Sequence, residues 1–191
     1  MTRLRAILFD LGDTVMQETT EEKDATATTQ RADLFPGMAG LLRDLRTRGY
    51  PLGLVADTRP GTYRNVLSQH GLLGVFGAFA ISEELGASKP DPRMFRAALA
   101  ALAIPEAEWP QVAMVGNNLA RDIRGANAMG LVAVHIVWND RYPTVPADAA
   151  ERPTHVVRSA EELADLIGRY EAGGVAPIGA PRAPGAPAGR A

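Results

Sequence analysis

Apolar residues along this chain follow two rhythms in turn. Unbroken apolar runs occur at Ala6-Ile7-Leu8-Phe9, Leu52-Gly53-Leu54-Val55, Val112-Ala113-Met114-Val115 and Leu131-Val132-Ala133-Val134-His135-Ile136. These have strand length, and their lack of alternation predicts strands covered on both faces. Between them the period lengthens. Met38, Leu41, Leu42 and Leu45 share one helical face, with Gly49 as a terminator, and similar patterns predict helices over residues 62–70, 91–103 and 119–129. Shorter strands are predicted at residues 79–81 and 155–157, and a last helix over 160–170 with Ser159 at its N-cap. Strands and helices that alternate in this way predict an α/β fold, with a mostly parallel sheet between two layers of helices.

Two segments break the rhythm. Residues 17–33 are polar and carry Glu18, Glu21, Glu22, Lys23 and Asp24 with almost no large apolar side chain, which reads as an exposed flap or loop. Residues 171–191 are rich in glycine, proline and alanine and are expected to form a disordered tail, leaving residues 1–170 as one domain. The 191 residues carry a formal net charge of −2 and offer neither a basic stripe for nucleic acid nor a polybasic patch for a membrane. The absence of cysteine removes disulfides, thiolate metal sites and a cysteine nucleophile. The first apolar stretch is too short for the core of a signal peptide and no segment reaches membrane-spanning length, so the expectation is a cytoplasmic enzyme or binding module.

Candidate chemistry gathers in four polar loops. Asp10, Gly12, Asp13 and Thr14 follow the first strand, Asp57 and Thr58 the second, and residues 116–122, with Asn117 and Asp122, the strand ending at Val115. Ser88, Lys89, Pro90 and Asp91 precede a helix. Loops at the carboxyl ends of parallel strands converge on one crevice, and the lysine can reach it from the fourth loop. A carboxylate placed like Asp10 can ligate a hard cation or attack phosphorus, or simply close a strand in an Asx-type turn.

The segments Phe9-Asp10-Leu11-Gly12-Asp13-Thr14, Ser88-Lys89-Pro90-Asp91-Pro92 and Val115-Gly116-Asn117-Asn118-Leu119-Ala120-Arg121-Asp122, in this order and spacing, strongly resemble the haloacid dehalogenase-like hydrolase superfamily. The resemblance covers residues 6 to about 136. It implies a Rossmann-like three-layer sandwich and, with only residues 17–33 in the slot of a cap, no sizeable cap domain. It also implies a phosphatase in which Asp10 forms an aspartyl-phosphate that water then hydrolyses, while Lys89 offsets the charge of phosphate and nucleophile. Thr58, Asp57 and Lys89 would bind the phosphate. Mg2+ would be held by Asp10, the Gly12 carbonyl and Asp122, with Asn117 nearby.

Three departures qualify this expectation. Gly12 stands where the family usually has an Asp that serves as general acid and base; Asp13 is either its replacement or an Asx-turn acceptor. Ala56 replaces the usual Ser or Thr of the second loop, leaving Thr58 as the nearest hydroxyl, and Asn117 stands where Asp is usual. These losses keep open a noncatalytic member that binds a phosphate ligand or a protein, with a haloacid dehalogenase ranked below it. A capless crevice would suit bulky phosphoesters, or small ones enclosed by residues 17–33 or by a second copy of the chain. His70, His135 and His155 read as packing or surface residues, Gly53, Gly125 and Gly130 as packing or turn glycines, and Arg121 and Arg124 as solvated helix residues, while Arg141, after a strand end that borders the crevice, reads as a surface arginine in preference to a substrate contact.

Overall fold

A computed structural model describes residues 3–174. The expected strands assemble into one six-stranded sheet in the order β5-β4-β1-β6-β7-β8, with β1 Ala6–Phe9, β4 Leu52–Ala56, β5 Ala78–Ile81, β6 Val112–Gly116, β7 Val132–Ile136 and β8 His155–Val157. Every pairing in it is parallel. From β1 the chain moves outward through β4 and β5, then returns to β6 on the other side of β1. The winding therefore reverses beside β1, and in open parallel sheets a crevice opens at the carboxyl ends of the strands flanking such a reversal.

Alternate residues of each strand serve opposite layers. Ile7 and Phe9 pack with Leu52, Leu54, Ala113 and Val115 under helices α1 (Met38–Thr47), α2 (Pro60–Gln69) and α6 (Ala160–Glu171). Ala6 and Leu8 face the opposite layer, where α4 (Pro92–Ala101) brings Met94, Phe95, Ala98 and Leu99, and α5 (Arg124–Ala128) brings Ala126. The sheet is thus sandwiched as the apolar runs predict. Ser159 caps α6, its hydroxyl accepting from the Glu162 N–H at 3.0 Å. Among the described residues no helix is long and apolar enough to cross a membrane. From residue 175 onward the predicted disordered tail lies outside the described residues.

Two elements differ from the sequence reading. Residues 17–33 contain a small antiparallel hairpin, β2 (Glu22–Lys23) and β3 (Thr29–Arg31), rather than a bare loop. It is fastened to α2: the Thr29 N–H donates to Thr62 Oγ1 at 3.1 Å, and Asn65 Nδ2 donates to the Thr29 carbonyl at 3.0 Å. The helix expected over residues 119–129 opens with a π-helical turn, Leu119–Ile123, in which the Ile123 N–H reaches back to the Asn118 carbonyl, before regular α5 begins. Such wide turns reorient side chains, and this one buries Asp122. The remaining short helix, α3, spans Ser82–Leu85.

Gly125 is a packing glycine in fact, because a Cβ there would overlap the buried Phe95 ring, whereas a Cβ on Gly40 in α1 would meet nothing. Gly125→Ala is therefore expected to lower unfolding free energy by about 1–3 kcal/mol. Gly40→Ala should raise it by about 0.5–1 kcal/mol. Urea denaturation midpoints of the two variants check both signs.

Candidate active site

Asp10 follows the last residue of β1, and its N–H still donates to the Val115 carbonyl of β6 at 3.0 Å, so the sheet itself sets its position. The chain then folds back sharply: the N–H groups of Thr14, Val15 and Met16 all point at the Leu11 carbonyl. Asp13 takes the left-handed conformation this turn demands, with φ of 46°, a region that Asp tolerates better than most residues.

Lys89 arrives on the loop before α4. Its N–H donates to Asp57 Oδ1 at 2.9 Å, and its buried ammonium donates to Asp10 Oδ1 at 2.5 Å and to Asp122 Oδ1 at 2.6 Å. Three of the four loops are thereby joined to the fourth through one residue, two by its side chain and one by its backbone N–H. Burial works to lower the Lys89 pKa, but the charges of Asp10, Asp122 and Asp57 overcome it and hold the ammonium above the ordinary lysine value. Burial pushes Asp122 up to about 6, with Lys89 pulling it down and Asp10 adding to the rise. The second Asp122 oxygen accepts from the Asn118 N–H at 2.9 Å. Gly116 leaves room for this carboxylate, since a Cβ there would overlap it.

A cleft of about 430 Å³ opens above Asp10, walled by Gly12, Glu18, Asp57, Thr58 and Arg121. Lys89 and Asp122 lie beneath it, sealed from solvent. Asp10 Oδ2 faces a weaker partner than Oδ1, the Thr14 hydroxyl at 3.4 Å. Asn117 is buried, its carbonyl 3.0 Å from His135 Nε2, and it lines a separate small recess with Asp13 and Trp138. Among the described residues no three His, Cys, Asp or Glu side chains surround a common metal position. Oxygen groups near Asp10 include the Asp122 carboxylate, which shares the Lys89 ammonium with it, and the Thr14 hydroxyl.

Asp13 stands apart from this cluster. Its Oδ1 accepts from the Glu18 N–H at 2.9 Å, its Oδ2 pairs with Arg141 Nη1 at 2.7 Å, and the residue is buried. The segment after β7 thus clamps the loop that follows β1. Trp138 stacks on Phe35 with ring centroids 4.4 Å apart and donates to the Thr14 carbonyl at 3.0 Å, while the Tyr142 hydroxyl donates to Glu18 Oε2 at 3.0 Å. Burial raises the Glu18 pKa and the Asp13 charge adds to it, against the Tyr142 hydrogen bond and Arg141.

Three of these residues escape the sequence reading. Arg141 neutralises a buried carboxylate rather than sitting free on the surface. Arg121, read as solvated, stands on the cleft wall 3.6 Å from Asp57 because the π-helical turn rotates it there. Glu18 belongs to a segment read as a polar flap, and nothing in its spacing marks it. The histidines pack as expected: His70 Nε2 contacts the Ala32 carbonyl at 2.8 Å and His155 Nε2 the Tyr170 hydroxyl at 2.9 Å.

The chain resembles known proteins in sequence and in fold. The chain is 40% identical over 112 residues to a phosphoserine phosphatase of Thermus thermophilus, covering 59% of this chain and 43% of the relative. It is 31% identical over 133 residues to a glyceraldehyde 3-phosphate phosphatase of Methanopyrus kandleri, covering 70% of this chain and 56% of the relative. It therefore spans about half the length of these curated relatives. Among solved structures, a HAD phosphatase from Thermococcus onnurineus superposes with a TM-score of 0.68 at 21% identity, covering 86% of this chain and 98% of the other, which establishes the shared fold. The sequence model for haloacid dehalogenase-like hydrolases matches residues 4–130. The chain belongs to the haloacid dehalogenase-like hydrolase family.

Proposed function

We propose that the protein is a phosphatase that passes the phosphoryl group of a small phosphorylated substrate through Asp10 to water. The observation that carries this reading is the buried ammonium of Lys89 between Asp10 and Asp122, at the floor of a cleft beside the winding reversal. Lys89 occupies Asp10 Oδ1, so Oδ2, which has only the Thr14 hydroxyl at 3.4 Å as a partner among the described residues, would be the attacking oxygen. The same positive charge offsets the repulsion between an anionic nucleophile and an anionic phosphate, which in a poorly hydrated site is a large part of the barrier.

Thr58, with the backbone N–H groups of its loop, would receive the phosphate oxygens, and Arg121 offers a second cation on the same wall. Asp57 contributes by fixing Lys89 through its N–H. The donor set suits Mg2+, a hard cation that accepts few protein oxygens and retains water. Asp10, the Gly12 carbonyl and Asp122 would hold it, with Asn117 alongside, and it would supply neutralising charge to the transferring group. Because a carboxylate has about four lone-pair directions, the contacts of Asp122 to Lys89 and Asn118 still leave it able to ligate. The small-substrate class rests on the relatives named for phosphoserine and glyceraldehyde 3-phosphate, and on a cleft volume that fits a metabolite.

Mg2+-dependent hydrolysis of p-nitrophenyl phosphate is expected from the purified chain, and Asp10→Asn should reduce it to the uncatalysed background. Wild-type protein no faster than this variant, across a panel of phosphomonoesters and acyl phosphates, would sink the enzyme reading in favour of a noncatalytic phosphate binder. Lys89→Met should abolish activity and also cost about 3–5 kcal/mol of stability, because it leaves two buried carboxylates facing one another without a cation. Urea denaturation of the variant measures that loss.

A further inference from the structure

Transfer of a phosphoryl group from an alkyl ester needs a proton for the departing oxygen, and hydrolysis of an acyl phosphate is helped by a base that takes one from water. Five carboxylates border the cleft: Asp10, Glu18, Glu21, Asp57 and Glu83. Asp10 is the nucleophile of the proposed reaction. Asp57 is engaged by the Lys89 N–H and by Arg121, and Glu21 by the Thr29 hydroxyl at 2.6 Å and Lys23 at 2.8 Å. Glu83 stands on α3 at the outer wall, 57% exposed and 4.0 Å from Arg59. Asp13, although close in sequence, is buried with both oxygens committed to Glu18 and Arg141.

Glu18 is placed differently. One oxygen, Oε2, is anchored by the Tyr142 hydroxyl at 3.0 Å and by Arg141 at 3.4 Å. The other, Oε1, lies over Gly12, so close that a Cβ on residue 12 would overlap it, and it accepts no hydrogen bond among the described residues. The missing side chain of Gly12 is thus the space through which a glutamate six residues downstream reaches the cleft beside Asp10. Gly12 has an ordinary φ, so what excludes a larger residue there is Glu18 rather than the backbone.

We propose that Glu18 is the proton-transfer group of this site, with Asp13, Arg141 and Tyr142 as the residues that position it. The inference rests on the phosphatase reading above. As Asp10 Oδ2 bonds to phosphorus and the P–O bond to the leaving group breaks, the protonated Glu18 Oε1 gives its proton to the leaving oxygen and an alcohol departs. The resulting carboxylate then takes a proton from water as that water bonds to phosphorus. The bond from phosphorus to Asp10 breaks, releasing phosphate and restoring both side chains.

The test compares wild type, Glu18→Gln, Glu18→Ala and Asp10→Asn on glycerol phosphate, whose alkoxide leaves poorly, and on p-nitrophenyl phosphate, whose phenolate leaves without a proton. Glu18→Gln should lower kcat on glycerol phosphate by about 10²–10⁴-fold with little change in KM. On p-nitrophenyl phosphate it should release a stoichiometric burst of nitrophenolate before slow turnover, because the first step proceeds and the second lacks its base. The split between the two esters supplies the stronger arm: a merely structural Glu18 would slow the nitrophenolate burst and glycerol phosphate turnover alike, whereas loss of a proton-transfer group leaves the burst rate close to that of the wild type. An active wild type with Glu18→Gln unchanged on glycerol phosphate overturns the role of Glu18 alone. A wild type no faster than Asp10→Asn on either ester overturns the phosphatase reading and this inference with it.

Discussion

The buried ammonium of Lys89 is the contact on which the arrangement of the site depends. Two carboxylates brought together away from water repel one another strongly, and neither is well solvated. The lysine makes their proximity tolerable, and it can do so only because Asp57 grips its backbone and the turn at Leu119–Ile123 swings Asp122 inward. One residue thereby ties the loops after β1 and β6, through its ammonium, and the loop after β4, through its backbone N–H, to the loop before α4. A buried ion pair is a poor source of net stability, since desolvation consumes most of the Coulombic gain. Its value here lies in geometry: it holds one oxygen of Asp10 and leaves the other with only the long contact to the Thr14 hydroxyl among the described residues.

A second layer of polar contacts surrounds this centre. Asp13 pairs with Arg141 and Asp57 with Arg121, and Glu18 is held by the neutral Tyr142 hydroxyl, around the loop that begins at Asp10. Each pair comes from distant parts of the sequence. The segment after β7 contributes Trp138, Arg141 and Tyr142, so the loop of the first strand is held by residues more than a hundred positions later.

The sheet and its helices were legible in the sequence because both arise from short-range regularity. Runs such as Ala6-Ile7-Leu8-Phe9 and the 38, 41, 42, 45 spacing depend only on which faces are covered, and the structure places them accordingly. Asp10, Lys89 and Asp122 were legible too, because strand ends and family spacing mark them. Glu18, Arg121 and Arg141 were not. Their places depend on a hairpin folding onto α2, on a π-helical turn, and on a loop crossing from β7 to β1, which are tertiary events that leave no periodic trace. The exchange of Gly12 and Asp13 drew attention to Asp13, and the structure turns that carboxylate away by placing it at φ of 46° in the turn.

The hairpin of β2 and β3 also bears on how molecules come and go. Thr29 is bonded at both its N–H and its carbonyl to α2, the Ala32 N–H donates to Gln69 Oε1 at 3.2 Å, and His70 contacts the Ala32 carbonyl. A swinging lid would have to break all of these at once, whereas lids that open in each cycle are held by few such bonds. This side of the cleft is a fixed wall. The charges of Glu21, Lys23 and Arg59 at its mouth therefore stand on a wall tied to α2 rather than on a moving flap.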